Sequence, residues 1–96
     1  LDALQPVNRD FAFIVDQELP AEKLIKAAQG ADKSLVSAVQ LFDEYIGQGI
    51  PEGKKSLAIA VTHQPKTQTF TDEELESVSE KIISKIAKDI GGHLRV

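Results

Sequence analysis

The stretch YIGQGIPEGKKSLAIAV at residues 45–61 combines three glycines with two lysines, a composition that could bind phosphate. A nucleotide-binding glycine loop lies between a strand and a helix, because the first N–H groups of the helix bind the phosphate. Here the apolar runs on both sides predict strands, and the glycines do not have the G-x-G-x-x-G spacing. We therefore predict a long hairpin connection, with Lys54 and Lys55 at the start of the second strand.

Other residues that could do chemistry point away from catalysis. His63 and His93 are the only histidines, and neither has a second ligand at metal-binding spacing. The absence of cysteine excludes disulfides and thiolate chemistry, and no serine lies in a nucleophile elbow. Asp43 lies inside an apolar run, where we interpret it as an ion-pair partner of Lys54 or Arg9 rather than as a catalytic acid.

Hydrophobic periodicity predicts the elements that position these residues. A capping box at 71–74 and two glycines at 91–92 mark the ends of one helix. Residues 1–8 are interpreted as an extended lead-in. The elements in order are a strand at 10–15, a helix at 20–30, strands at 35–46 and 55–63, the capped helix, and a short strand at 93–96.

This order predicts an α+β fold, the ferredoxin-like split βαβ sandwich (βαββαβ). Such a fold has a four-stranded antiparallel sheet with two helices on one face. We expect Leu57, Ile59 and Val61 to pack against the helices. Ser56, Ala58 and Ala60 then line the open face, and Ala12 joins them if Phe11 and Phe13 face the helices. Tyr45 is either a half-buried core aromatic or a stacking group at the edge of the open face.

Length and charge limit the classes of protein to which the chain can belong. A chain of 96 residues is predicted to form one domain, residues 1–96, and no apolar stretch is long enough to span a bilayer. The net charge of −4 counts against a free-standing nucleic-acid binder. However, four of the fifteen acidic residues cluster at the capped helix start, so global charge says little about any one face. The absence of methionine predicts that the chain is a piece of a longer protein.

Three segments carry a resemblance to a known family. The segments NRDFAFIVD, VQLFDEYIGQGIPEGKKSLAIAVTHQ and TFTDEEL resemble, in order and spacing, the ferredoxin-fold anticodon-binding domain. This domain forms the C-terminus of the bacterial phenylalanyl-tRNA synthetase β subunit. The family's usual R-R-D is Asn8-Arg9-Asp10 here, and its frequent T-F-Q is Thr62-His63-Gln64.

The resemblance implies a tRNA-binding module that recognises the anticodon region of phenylalanine tRNA and has no catalytic activity of its own. The implied partners are the anticodon stem-loop, the rest of the β subunit and the α subunit, in the cytoplasm, with no membrane and no DNA. No cofactor is implied for this domain, and ATP and magnesium are expected only in the catalytic subunit. The residues expected to contact RNA are Arg9, Ala12, Tyr45, Lys54, Lys55, Ser56 and Ala58.

These residues have different expected roles. Arg9, Lys54 and Lys55 are expected to flank the open face and to contact phosphates. The small side chains leave space for a flat partner, and Tyr45 stacks on a base.

Two alternatives share the same architecture. One is a protein–protein or small-ligand regulatory module. The other is a hydrolase of the acylphosphatase type, which needs a phosphate-binding arginine in the loop after the first strand. The segment DQELP at 16–20 contains neither arginine nor glycine, so the sequence disfavours the hydrolase.

Overall fold

The computed structural model describes residues 4–95 of the chain. It contains four strands and two helices in the predicted order. Their bounds are β1 Val7–Asp16, α1 Ala21–Ala31, β2 Val36–Tyr45, β3 Lys54–His63, α2 Asp72–Ile90 and β4 His93–Leu94.

The strands form one sheet in the order β2-β3-β1-β4, with every neighbouring pair antiparallel. β1 pairs with β3 along its whole length, from Val7 opposite His63 to Asp16 opposite Lys54. The predicted split βαβ sandwich is therefore confirmed. The first strand begins earlier than the sequence indicated, because its polar first residues also pair with β3.

Both helices pack on one face of the sheet. Side chains from β1, β3, α1 and α2 are fully or almost fully buried in one cluster that forms the core. Its largest members with essentially no exposure are Phe13, Leu24, Leu57, Ile59, Ile82 and Ile86. The predicted orientation of Leu57, Ile59 and Val61 toward the helices is confirmed.

Local signals in the sequence explain where α2 begins and ends. The Thr71 hydroxyl accepts a hydrogen bond from the backbone N–H of Glu74 at 3.1 Å, and the Glu74 carboxylate accepts one from Thr71 N–H at 2.9 Å. These bonds form the predicted capping box. At the other end Gly91 has φ of 70°, a left-handed conformation that favours glycine and ends the helix.

The other face of the sheet has no helix against it among residues 4–95. Directly opposed residues of an antiparallel pair project to the same face, so the register assigns side chains to this open face.

No helix in the described part of the chain is long and apolar enough to cross a membrane. Within residues 4–95, no group of three or more potential metal ligands comes together.

Candidate nucleic-acid interface

The glycine-rich connection between β2 and β3 is built from two consecutive turns. The backbone N–H of Ile50 donates to the carbonyl of Gly47 at 3.0 Å, and that of Lys54 donates to the carbonyl of Pro51 at 3.1 Å. No helix follows the glycines, so no helix N-terminus is available for a phosphate. The predicted hairpin connection is confirmed.

This connection fixes the orientation of Tyr45. The phenol hydroxyl donates to the backbone carbonyl of Gln48 at 3.0 Å. Gly47 has φ of 146°, and a Cβ at that position would lie only 3.1 Å from the hydroxyl oxygen. The backbone conformation therefore favours glycine at 47, and a side chain there would crowd the Tyr45 ring.

Tyr45 lies on the open face rather than in the core. It is opposite Ser56 in the β2–β3 register, and 37% of its surface is exposed. It is absent from the buried cluster that joins the sheet to the helices. The two interpretations left open by the sequence are thus resolved in favour of an aromatic group at the edge of the open face.

Arg95 is a residue of this face that the sequence reasoning missed. Its guanidinium carbon lies 5.5 Å from the centroid of the Tyr45 ring, a cation–π distance. Its Nη1 is 3.5 Å from Ser56 Oγ, to which it donates a long hydrogen bond, and its backbone N–H donates to the Ala12 carbonyl at 2.8 Å. One signal in the sequence could have placed Arg95: side chains alternate in the strand predicted at 93–96, so residues 93 and 95 share a face.

Ser56 is less accessible than expected. It lies on the open face between Tyr45 and Ile14, yet only 3% of it is exposed. The Arg95 hydrogen bond to its hydroxyl accounts for part of this burial. A base can reach Ser56 only after the Arg95 side chain moves aside.

Small side chains form the middle of the open face. Ala12 and Ala58 are directly opposite each other on β1 and β3, and Ala60 is opposite Asp10. All three alanines are partly exposed. The backbone of the two central strands is therefore accessible to a flat aromatic group, as the sequence indicated.

Acidic groups also lie on this face. Asp43 is opposite Ala58 next to a β-bulge in β2, and it is exposed. The predicted ion pair of Asp43 with Lys54 or Arg9 is wrong, because Lys54 Nζ contacts Asp16 Oδ1 at 2.6 Å and Arg9 lies on the helix side of the sheet. Carboxylates such as Asp10 and Asp43 suit the amino groups of base edges rather than phosphates.

Lys55 does not flank the open face, which corrects the expected placement. It is opposite Val15 and lies on the helix side of β3, 6% exposed. Its Nζ contacts Glu44 Oε2 at 2.9 Å. The strict alternation of side chains places the neighbouring Lys54 on the open face, with 40% of its side chain exposed.

Arg9 is also on the helix side of the sheet. It is opposite Val61, a core residue of β3, and is half-buried. The charge of Arg9 lowers the pKa of His63, which lies at the end of β3 on the same face. The expectation that Arg9 flanks the open face is therefore corrected as well.

The two histidines have different environments. His63 is fully buried, and neither ring nitrogen has a hydrogen-bond partner among residues 4–95. Burial and, to a smaller extent, the charge of Arg9 lower the pKa of His63 from its ordinary value, while Asp32 acts in the opposite direction. His93 is exposed, opposite Ile14 on the open face.

Comparison with known proteins identifies the family. The model of the ferredoxin-fold anticodon-binding domain matches residues 3–95. The chain belongs to this family. The resemblance carried by the sequence segments is thereby confirmed, and the observed sheet with two helices is the fold expected of an anticodon-binding domain.

Curated relatives of this anticodon-binding domain are β subunits of phenylalanine–tRNA ligase. The chain is 54% identical over 95 residues to that of Bradyrhizobium diazoefficiens, which covers 99% of the chain. It is 55% identical over 95 residues to that of Nitrobacter winogradskyi and 52% identical over 93 residues to that of Paramagnetospirillum magneticum, covering 99% and 97% of the chain. The chain spans 12% of the length of each of these relatives.

Proposed function

We propose that this domain binds the anticodon stem-loop of phenylalanine tRNA on its open sheet face and has no catalytic activity of its own. Membership of the anticodon-binding family and high identity to phenylalanine–tRNA ligase β subunits support this function. The domain serves as one contact of a larger synthetase, in which the rest of the β subunit and the α subunit are its protein partners. The synthetase acts in the cytoplasm, and ATP and magnesium serve its catalytic subunit.

The observation that carries the proposal is the arrangement of Tyr45, Arg95 and the paired alanines. An unpaired base that lies flat on Ala12 and Ala58 has the exposed Tyr45 ring at one side for stacking. The Arg95 guanidinium lies over one face of this ring and supplies both a planar cation and hydrogen-bond donors. Single-stranded RNA is recognised by such combinations of aromatic rings and polar groups on an accessible sheet.

The charges of the open face favour base recognition over phosphate binding. Lys54 and Arg95 are its basic residues within the described part of the chain, apart from His93. Asp10, Asp16 and Asp43 lie on the same face, so its net charge is not positive. We therefore propose that specificity comes from stacking and base-edge contacts, with few phosphates neutralised.

A bulky side chain in the centre of the face tests the proposal. The side chain of Ala12→Trp lies on the open face, away from the core, so the domain is expected to keep its melting temperature. Affinity for the anticodon stem-loop is expected to fall about tenfold or more, because a stacked base is displaced. Ala87→Trp, at an exposed alanine of α2, is the matched control and leaves affinity unchanged. Equal affinities of Ala12→Trp and the unmodified chain would rule out the open face as the binding surface.

A further inference from the structure

A groove with four lysines runs between α1 and α2 on the helix side of the molecule. It has a volume of about 540 Å³, and Lys23, Lys26, Lys33 and Lys85 line it together with a single carboxylate, Asp89. The chain as a whole has a net charge of −4, so this local excess of positive charge is opposite to the average of the molecule.

Most of this positive charge is not neutralised within the domain. Lys85 Nζ contacts Asp89 Oδ2 at 2.8 Å. Among the ion pairs formed by residues 4–95, none includes Lys23, Lys26 or Lys33. Lys81 of α2 does have a carboxylate partner, Asp32 Oδ2 at 3.1 Å just past the end of α1, whereas three of the four groove lysines have none among residues 4–95.

The shape of the groove indicates an elongated ligand. Lys23 and Lys26 lie on one side of α1, and Lys33 follows just past the end of the helix at Ala31. The helix alone separates Lys23 from Gly30 by about 10 Å. The floor contains Ala27 and Gly30, which have little or no side chain. Past Gly30 the groove continues into a hollow of about 370 Å³ that reaches the start of β2. A single small anion cannot contact all of these lysines at once.

We propose that this groove binds an acidic polypeptide segment of a protein partner. Several carboxylates spaced along such a segment pair with the lysines, and small apolar side chains between them fit against Ala27 and Ile90. The complementary charge sets the register of the segment and accelerates its association.

Nucleic acid is disfavoured as the occupant by the position of the groove. This step rests on the proposed function, in which the RNA hairpin lies on the open sheet face. The helices lie on the opposite side of the sheet, and the smallest dimension of the domain is 21 Å. An RNA stem that lies on the open face is too stiff to bend around the domain, so it does not reach the groove on the other side.

Backbone amide shifts test the proposal directly. A glutamate–leucine peptide of about four helical turns, titrated into the isotope-labelled chain, is expected to shift the amides of Lys23, Lys26, Gly30 and Lys85. The matched glutamine–leucine peptide causes no such shifts. Because several ion pairs are lost together, the triple variant Lys23→Gln, Lys26→Gln, Lys33→Gln is expected to bind the glutamate peptide about tenfold more weakly. Lys66→Gln, at an exposed lysine outside the groove, keeps full affinity.

Three results would overturn the proposal. The first is an absence of groove shifts with the glutamate peptide, or shifts that persist in the triple variant. The second is a set of groove shifts caused by the anticodon stem-loop, which would make the groove an RNA surface. The third is a set of groove shifts that depend on protein concentration alone, which would assign the groove to the acidic start of α2 in a second copy. If the stem-loop causes no amide shifts on the open face, the proposed function is wrong, but the result with the peptide is unaffected.

Discussion

At the scale of single residues, Tyr45 shows how one side chain is prepared for stacking. Its hydroxyl is held by the Gln48 carbonyl, and the absence of a side chain at Gly47 lets the ring lie close to the connection. The ring therefore has a fixed orientation before any ligand binds, which lowers the entropy lost on binding. Its exposed part remains available on the open face.

Replacing this ring separates binding from stability. Tyr45→Ala is expected to reduce affinity for the anticodon stem-loop about tenfold or more, since stacking contributes roughly 1–3 kcal/mol per base. Tyr45→Phe keeps the ring and loses only the hydroxyl bond to Gln48, roughly 0.5–1.5 kcal/mol. Fluorescence anisotropy gives the affinity and thermal unfolding gives the stability of each variant. If Tyr45→Ala lowers the melting temperature strongly while its folded fraction binds normally, the stacking role is wrong.

The residues of the site were predictable to different degrees. Ala12 and Ala58 could be placed from alternation in long strands, because the period of two is unambiguous in β1 and β3. Tyr45 could not, because the β-bulge between Leu41 and Asp43 puts it on the face opposite to Leu41. Lys55 was misplaced because it was grouped with Lys54 beside the connection, although the alternation that turns Leu57 toward the helices also turns Lys55 there. Arg95 follows a strand of only two residues, so the alternation over 93–96 was a much weaker signal than that of the long strands.

At the scale of elements, β3 divides the chemistry of the sheet between its two faces. Leu57, Ile59 and Val61 build the core, while the alternate positions leave the open face nearly flat. The two lysines at its start follow the same alternation. Lys54 is accessible beside the binding face, whereas Lys55 is buried and joins β3 to β2 through Glu44.

These adjacent lysines are expected to give opposite results on substitution. Lys54→Gln reduces the slope of log affinity against log salt by about 0.7, as for one phosphate contact on a single strand, and leaves stability unchanged. Lys55→Gln breaks the ion pair of a buried lysine with a half-exposed glutamate and costs roughly 1 kcal/mol of stability.

The two variants serve as controls for each other when stem-loop affinity is measured at several salt concentrations, together with thermal unfolding. A cost of about 1 kcal/mol corresponds to a fall of about 4–8 °C in the melting temperature of a domain of this size. An unchanged salt slope in Lys54→Gln would show that Lys54 is only a solvated surface residue. A reduced slope with full stability in Lys55→Gln would contradict the assignment of the two faces.

The elements themselves were largely predictable from the sequence. All six appear in the predicted order, because the longer elements have a clear periodic pattern or a capping signal, such as Thr71 and Glu74 at the start of α2. The short β4 was predictable only from the glycines that end α2 before it. The bulge in β2 near Asp43 was not predictable, since a local insertion leaves no distinct signal in one sequence. That bulge is part of the reason why the partner of Asp43 was predicted wrongly.

At the scale of the whole molecule, a buried histidine links stability to pH. Burial and Arg9 lower the pKa of His63 below its ordinary value of 6.5, so the unfolded chain binds the additional proton more readily than the folded one. The corresponding stability is fully present above about pH 6.5 and is lost as the pH falls toward the lowered pKa. The pKa of Asp32 is lowered as well, because hydrogen bonds from Ser34 and Lys81 outweigh the opposite effect of burial. The stability that depends on Asp32 is lost only when the pH falls below its ordinary pKa of 3.8.

Replacing His63 is expected to remove the loss of stability at low pH. His63→Phe fills the same buried site without a titrating group and without two unpaired ring nitrogens. Its free energy of unfolding is expected to stay nearly constant between about pH 6.5 and 5, where that of the unmodified chain falls. Urea unfolding across this pH range measures the difference, with His93→Gln at the exposed histidine as control. An equal decrease in His63→Phe and the unmodified chain would show that other groups cause the pH dependence.

On the whole molecule, the RNA is placed on the open sheet face, and a chemical-shift titration with the anticodon stem-loop of phenylalanine tRNA locates it without mutation. We expect shifts at Ala12, Tyr45, Ala58 and Arg95 on the open face. We expect no shifts at Lys23 and the other groove residues of the helix face. Shifts confined to the helix face, or no shifts at RNA concentrations that saturate a functional site, would show that the open face does not bind the anticodon stem-loop.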